Sequence, residues 1–172
     1  MSSPTPTQLA IHLPGAPIGQ GRGRIIRIAG QPRIADPARS RSWKGAAQVH
    51  YQEALARAGV SAPFVPEGPV SLDIVAVFAC PKSAPKRISG ARRPQAGRPD
   101  ADNIAKACMD AANGLLFMDD AQVAQLRVWK LYGIAGEAPF VRVTVRPMDV
   151  AMSSDAKPAI VETKSLFEET RA

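Results

Sequence analysis

The chain has 172 residues, of which 45% are hydrophobic and 22% charged, and it carries a formal net charge of +7. That length suits a single domain with its own core, and that hydrophobic share argues against a disordered chain. No apolar run reaches the roughly eighteen residues of a spanning helix, and the opening Met-Ser-Ser-Pro-Thr-Pro-Thr lacks the charged and apolar regions of a signal peptide, so the cytoplasm is the expected location.

The charge is unevenly placed. Up to Arg146 there are 19 Lys and Arg against 10 Asp and Glu, and beyond it 3 against 5. Five of the ten acids in the body fall between Asp100 and Asp120, so the remainder of the body is strongly basic. Such a surface steers towards polyanions, of which nucleic acid is the common cytoplasmic example. Cys80 and Cys108 make neither a disulfide framework nor a zinc set, and both are expected as buried thiols in a reducing compartment.

Residues 1–7 are rich in Ser, Thr and Pro and are expected to fray. Gln8 to Leu13 alternates as a first strand, and Pro14 to Pro17 turns the chain. Arg22, Arg24, Arg27 and Arg33 then surround Ile25, Ile26 and Ile28, with Gly30-Gln31-Pro32 predicting a hairpin between residues 24–29 and 33–35. Its arginines form either a solvated face or a contact to DNA phosphates, which guanidinium groups grip in two-pronged geometry. Asp36-Pro37 predicts the cap and first turn of a helix that reaches Arg57 and stops at Gly59. Trp43, Ala47, His50, Tyr51 and Leu55 mark its buried stripe, so His50 reads as a packing residue.

A loop over 59–68 leads into Val70–Ala79, where apolar residues occupy both phases from Ile74 onward. This predicts a central strand covered on both faces. Pro81 to Pro99 contains Lys82, Lys86, Arg87, Arg92, Arg93 and Arg98 without an acid, and it reads as a flexible basic loop. It is either a solvated charge block or an arm that grips a DNA backbone.

That loop runs into Arg98-Pro99-Asp100-Ala101-Asp102-Asn103-Ile104-Ala105-Lys106, the centre of the chain. Pro99 disfavours helix before it, so Asp100 or Asp102 is placed to cap a helix. Ile104, Cys108, Ala111 and Leu115 give one stripe, Asp102, Lys106 and Asp110 another, and Asn113-Gly114 ends the helix. Met118-Asp119-Asp120-Ala121-Gln122 follows, then a strand over 122–132 in which Lys130 ends an apolar phase. Lys130 either reaches the acidic cluster or a phosphate, or snorkels at the strand end. A last strand spans 139–146, and an acidic tail from residue 147, expected to be disordered, holds a short helical candidate at 160–170.

Two readings compete for the carboxylates. In one, Asp100 and Asp102 cap a helix and Asp119-Asp120 is an acidic turn. In the other they form a hard-cation site, since Mg²⁺ takes one or two carboxylates and completes its shell with water or phosphate. Asp100 and Asp102 can converge on one ion, Asp120 can join from the next element, and Lys106 can stabilise charge on a phosphate.

The run Pro99-Asp100-x-Asp102-Asn103-x-x-Lys106, with Asp110-Ala111, Asn113-Gly114, Asp119-Asp120-x-Gln122-Val123 and Lys130, resembles the core signature of the RusA family of Holliday-junction resolvases. Leu13-Pro14-Gly15 with Pro17, Arg22 and Arg24 is similar to the family's opening, and together the resemblance covers roughly residues 9 to 146. It implies a small homodimeric endonuclease of bacteria or their phages, dependent on Mg²⁺ with Mn²⁺ as the alternative metal. By it Asp100, Asp102 and Asp120 are the metal-binding catalytic carboxylates, Lys106 is the catalytic lysine, and Asp119 is either a ligand or a partner of one. Arg22, Arg24, Lys86, Arg87, Arg92, Arg93, Arg98 and Lys130 are the candidate DNA contacts.

The expected fold is a single α+β domain over residues 8–146, a mixed sheet with helices packed on it. The expected activity is structure-selective cutting of four-way DNA junctions by paired nicks, in recombination and repair. Two rivals are a catalytically silent branched-DNA-binding protein and a metal-dependent nucleotide phosphohydrolase. The second lacks both a Gly-rich phosphate cradle and a His-bearing metal motif.

Overall fold

The computed structural model describes residues 6–28 and 31–148. The expected fraying at residues 1–5, the turn at Gly30, and the acidic tail from residue 149 with its helical candidate lie outside the described residues, as do the side chains of Arg24 and Arg87. Along the chain come β1 (Leu9–Pro14), β2 (Arg24–Ile28), β3 (Gln31–Ala35), α1 (Ala38–Ala58) and β4 (Val70–Phe78). There follow α2 (Lys86–Ser89), β5 (Arg93–Pro94), α3 (Ala101–Ala112), a 3₁₀ turn (Asp120–Gln122), β6 (Val123–Tyr132) and β7 (Phe140–Pro147).

One five-stranded mixed sheet has the order β1-β7-β4-β6-β5, and β2 with β3 forms a separate two-stranded ribbon. β4 and β6 are parallel, so the chain between them must return along the sheet, and α3 lies in that crossover. The α+β class expected from the sequence is the one observed.

The hydrophobic phases of β1, β4 and β7 (Leu9, Ile11, Leu13; Val70, Leu72, Ile74, Ala76; Val141, Val143, Val145) are all buried together under α1 and α3. From α1 come Ala47, Tyr51, Ala54 and Leu55, and from α3 Ile104, Ala105, Cys108, Ala111 and Ala112. Burial raises the Cys108 thiol pKa to about 12, so this cysteine is an inert packing group. Cys80 is only half-buried, short of the expectation for it.

β4 is covered on both faces, but by different means. Helices cover one face. On the other, Val75 lies between Trp129 of β6 and Arg142 of β7, and the Gly133 turn presses on Val77. Asp73 on that face accepts from Arg127 Nη2 at 2.9 Å and from Arg146.

Three local expectations are corrected. Asp36 does not cap α1: Pro37 occupies the cap position, and the Asp36 carboxylate instead holds Lys44 at 2.6 Å. The Lys44 and Gln20 hydrogen bonds lower the Asp36 pKa. His50 is half-exposed beside Glu53 at 3.2 Å, off the buried stripe, because Ala54 rather than His50 completes the inner face. The basic loop is also more ordered than its composition suggests, since Pro81–Pro99 contains α2 and β5 and buries Gln95.

Candidate active site

Two helix N-termini and one glycine-rich loop build the site. Gly19-Gln20-Gly21-Arg22-Gly23 passes between the start of α1 and the start of α3. The Gly21 N–H donates to Ser40 Oγ of α1 at 3.1 Å, and the Gln20 N–H donates to the Asn103 carbonyl of α3 at 2.8 Å. A Cβ on Gly19 would lie 2.9 Å from Pro99 Cβ and 3.0 Å from Asn103 Cβ. Glycine is required there by close approach, the reason a chain uses it where two backbones meet.

The loop and α3 enclose an open cleft of about 600 Å³, lined by Gly19, Gln20, Arg22, Arg98, Asp100 and Asn103 among others. Asp100 occupies the cap position of α3 in extended conformation, yet its side chain makes no cap hydrogen bond. Asp102, in the first helical turn, is exposed and likewise does not cap. The helix-capping account of these carboxylates is therefore not what the structure shows. Both face solvent at a helix N-terminus, where the backbone dipole favours negative charge.

Lys106 stands one turn beyond Asp102. Its side chain is 60% exposed, and its Nζ leans on Asp110 at 3.3 Å, while Asp110 also meets Lys44 at 3.4 Å. Asp110 thus ties α1 to α3 and fixes the side from which Lys106 projects. The Lys44 pKa is raised despite burial, because Asp36 and Asp110 both stabilise its ammonium form.

Asp119 and Asp120 separate into different roles. Asp119 caps the 3₁₀ turn, accepting from the Ala121 N–H at 2.8 Å, while Gln122 Oε1 accepts from the Met118 and Asp119 N–H groups at 2.7 and 3.1 Å. Gln122 also donates to the Gly68 carbonyl at 2.9 Å, anchoring the turn to the loop before β4. Asp120 is half-exposed and makes no side-chain hydrogen bond among the described residues. It does not meet Asp100 and Asp102. The α3 helix lies between them, roughly 18 Å for twelve residues, and among the described residues no three His, Cys, Asp or Glu side chains gather as a metal-binding group.

The basic residues also divide. Lys130 Nζ donates to the Gly97 carbonyl at 2.6 Å, fastening the approach to Asp100. Arg92 is paired with Glu137, whose pKa it lowers, and lies 5.4 Å over the Phe140 ring. Arg93 stacks 4.8 Å over Tyr132. Arg22 and Arg98 line the cleft and Lys86 is exposed, and among the described residues none of these three makes an ion pair. Sequence reasoning missed Gln20, Asn103 and Gly19 as shapers of the cleft; the signal available was the G-Q-G-R-G spacing.

With this geometry in place, comparison with known proteins decides the family. The family model described as Endodeoxyribonuclease RusA matches residues 14–146. The chain belongs to the RusA family. A relative in Bacillus subtilis (strain 168), described as "Uncharacterized protein YqaN", is 34% identical over 143 residues, covering 77% of this chain and 91% of that protein. The RusA match spans the cleft loop, the Asp100–Lys106 run, the Asp119–Asp120 turn, β4, β5 and β6 and nearly all of β7, and it begins at the last residue of β1. As a RusA-family chain the protein is an endodeoxyribonuclease of the Holliday-junction class, and among the described residues no helix is long and apolar enough to cross a membrane.

Proposed function

We propose that this chain cuts branched DNA, four-way junctions above all, by metal-dependent phosphodiester hydrolysis in the Asp100 cleft. One observation carries the reading: Asp100, its side chain free of any cap hydrogen bond, lines one cleft with Arg22 and Arg98 in a RusA-family chain. Asp100 and Asp102 fit Mg²⁺, with Mn²⁺ as the alternative, because they are two hard oxygen donors left without hydrogen-bond partners beside an open cleft. When bound there, the metal supplies Lewis acidity and an activated water.

The remaining chemistry belongs to the chain. Arg22 and Arg98, in the same cleft as Asp100, hold the phosphate and neutralise its charge in the ground state. Lys106 faces the charge that develops on phosphorus and on the leaving oxygen, with Asp110 limiting where its ammonium can swing. Asp119 serves as a cap, and Asp120, at the other end of α3 from Asp100, is the carboxylate of that turn whose side chain makes no hydrogen bond among the described residues. A homodimer supplies two such sites related by twofold symmetry, one for each strand nicked.

The test is a labelled four-way junction beside a matched linear duplex, each incubated with wild type and Asp100→Asn, with and without Mg²⁺. Paired nicks in the junction alone, dependent on metal and lost in Asp100→Asn, are expected. Wild type that binds the junction but never cuts it under any divalent metal would replace this reading with that of a junction-binding protein.

A further inference from the structure

Four charged side chains run in a row from the start of α1 to Lys106. Lys106 Nζ stands 3.3 Å from Asp110 Oδ1, and Lys44 Nζ of α1 stands 3.4 Å from Asp110 Oδ2. The same Lys44 ammonium donates to Asp36 Oδ2 at 2.6 Å. Asp110 therefore serves two lysines, one on each of its oxygens, and Lys44 serves two carboxylates. Burial opposes the Lys44 charge, but Asp36 and Asp110 more than offset it and raise its pKa, so Lys44 stays an ammonium near neutral pH.

The four differ in exposure. The side chains of Lys44, Asp110 and Asp36 are 20%, 21% and 29% exposed, whereas that of Lys106 is 60% exposed. Three members are held and the fourth is open to a substrate. Asp36 is fixed in turn: Gln20 of the cleft loop hydrogen-bonds its carboxylate, and Arg41 Nη1 donates to its carbonyl at 2.9 Å.

We propose that Lys44 is a positioning residue for the cutting reaction: by balancing Asp110 it keeps the Lys106 ammonium available to the phosphate. This rests on the role given to Lys106 above and adds the group that sets it.

The argument is one of shared charge. Two ammonium and two carboxylate groups cancel, so the row sets no net negative charge where a polyanion must come. With Lys44 made neutral the row carries one net negative charge, and Lys106 is the cation left to Asp110 among the described residues. Ion pairs near a protein surface attract several times more strongly than in bulk water, so the ammonium is drawn back along α3. What Lys106 then gives to Asp110 it withholds from the charge that develops on the phosphate oxygens. A mere brace between α1 and α3 would act on stability and leave the folded protein cutting at its usual rate.

The experiment follows single-turnover cutting of a four-way junction, junction binding and a thermal melt, all on the full chain. Lys44→Met keeps the apolar stem and removes the ammonium. It is expected to cut about tenfold more slowly, as for coupled groups of one ionic network, with binding little changed. Lys44→Met with Asp110→Asn is expected to regain most of that rate, because the amide still accepts from Lys106 without neutralising it. A brace is lost in both proteins alike and gives no recovery. Asp36→Asn leaves Lys44 to Asp110 alone and is expected to cut at least as fast as wild type, and this loop change decides the matter should Lys44→Met not fold. Lys44→Met that cuts like wild type, a double variant as slow as the single one, or Asp36→Asn cutting tenfold below wild type overturns the inference and leaves the Asp100 cleft standing. Lys106→Ala tests the reading on which it rests: if that protein cuts like wild type, the role of Lys106 falls, and this inference with it.

Discussion

Gly19→Ala isolates the contact that shapes the cleft. The added Cβ would sit 2.9 Å from Pro99 Cβ against 3.4 Å for ordinary contact, so the loop or the start of α3 must retreat by at least 0.5 Å. Both opposing atoms are Cβ atoms, fixed by the backbone, so no rotamer change relieves the clash. Overpacking of this kind costs about 1–3 kcal/mol, and stretching the 2.8 Å Gln20–Asn103 hydrogen bond adds about 1 kcal/mol. For a chain of this size about 2 kcal/mol lowers the melting temperature by about 4–8 °C. Arg22 moves with the loop and Asp100 with the helix, so their separation changes, and a misplacement near 1 Å can lower a rate by about a hundredfold. The assay is single-turnover junction cutting beside junction binding and a thermal melt. Expected is a loss in rate of tenfold or more, with binding changed far less. A Gly19→Ala protein that melts and cuts like wild type would refute the reasoning.

Three further outcomes follow from particular contacts. Gly45, exposed within α1 with nothing within 4 Å of where a Cβ would stand, should accept Ala and gain about 0.5–1 kcal/mol in a denaturant titration, with cutting unchanged. Asp73→Asn should lose about 2 kcal/mol near neutral pH, since burial pushes the Asp73 pKa up but Arg127 and Arg146 more than offset it, leaving it below the ordinary 3.8. A depressed carboxylate pKa stabilises above its unfolded value and loses that effect as pH falls, so the gap to wild type should shrink between about pH 5 and about pH 3; a constant gap in urea melts across that range sinks the argument. Arg98→Gln should lower the slope of log binding against log salt by about 0.9, as for one lost phosphate contact, whereas Arg92→Gln, already paired with Glu137, should change it much less. Equal slopes for both variants would show that the Glu137 pair does not divert Arg92 from DNA.

β1 and β7 were legible because burial alternates along them. Val70–Phe78, Val123–Tyr132 and Phe140–Pro147 carry the apolar phases expected of strands, and Gly59, with φ of 66°, ends α1 where its lack of a Cβ permits that conformation. The Asp100–Lys106 run was legible as a motif because its residue types and spacings are rare together. Less visible was the use each polar group finds. Asp36 was expected to cap and instead holds Lys44, and Arg92, a candidate DNA contact, is engaged by Glu137, forty-five residues away. Lys130, another candidate DNA contact, fastens Gly97.

The sequence by itself determined the class of fold and the family, since these depend on local periodicity and on fixed spacing within about thirty residues. Tertiary structure alone decided that Gly19 packs against α3, that Asp119 caps while Asp100 and Asp102 do not, and that Asp120 lies at the far end of α3. Those outcomes turn on which distant backbone and side-chain groups come within hydrogen-bonding or van der Waals reach. That is settled by how β4, α3 and β6 stack, and no single segment of the chain encodes it.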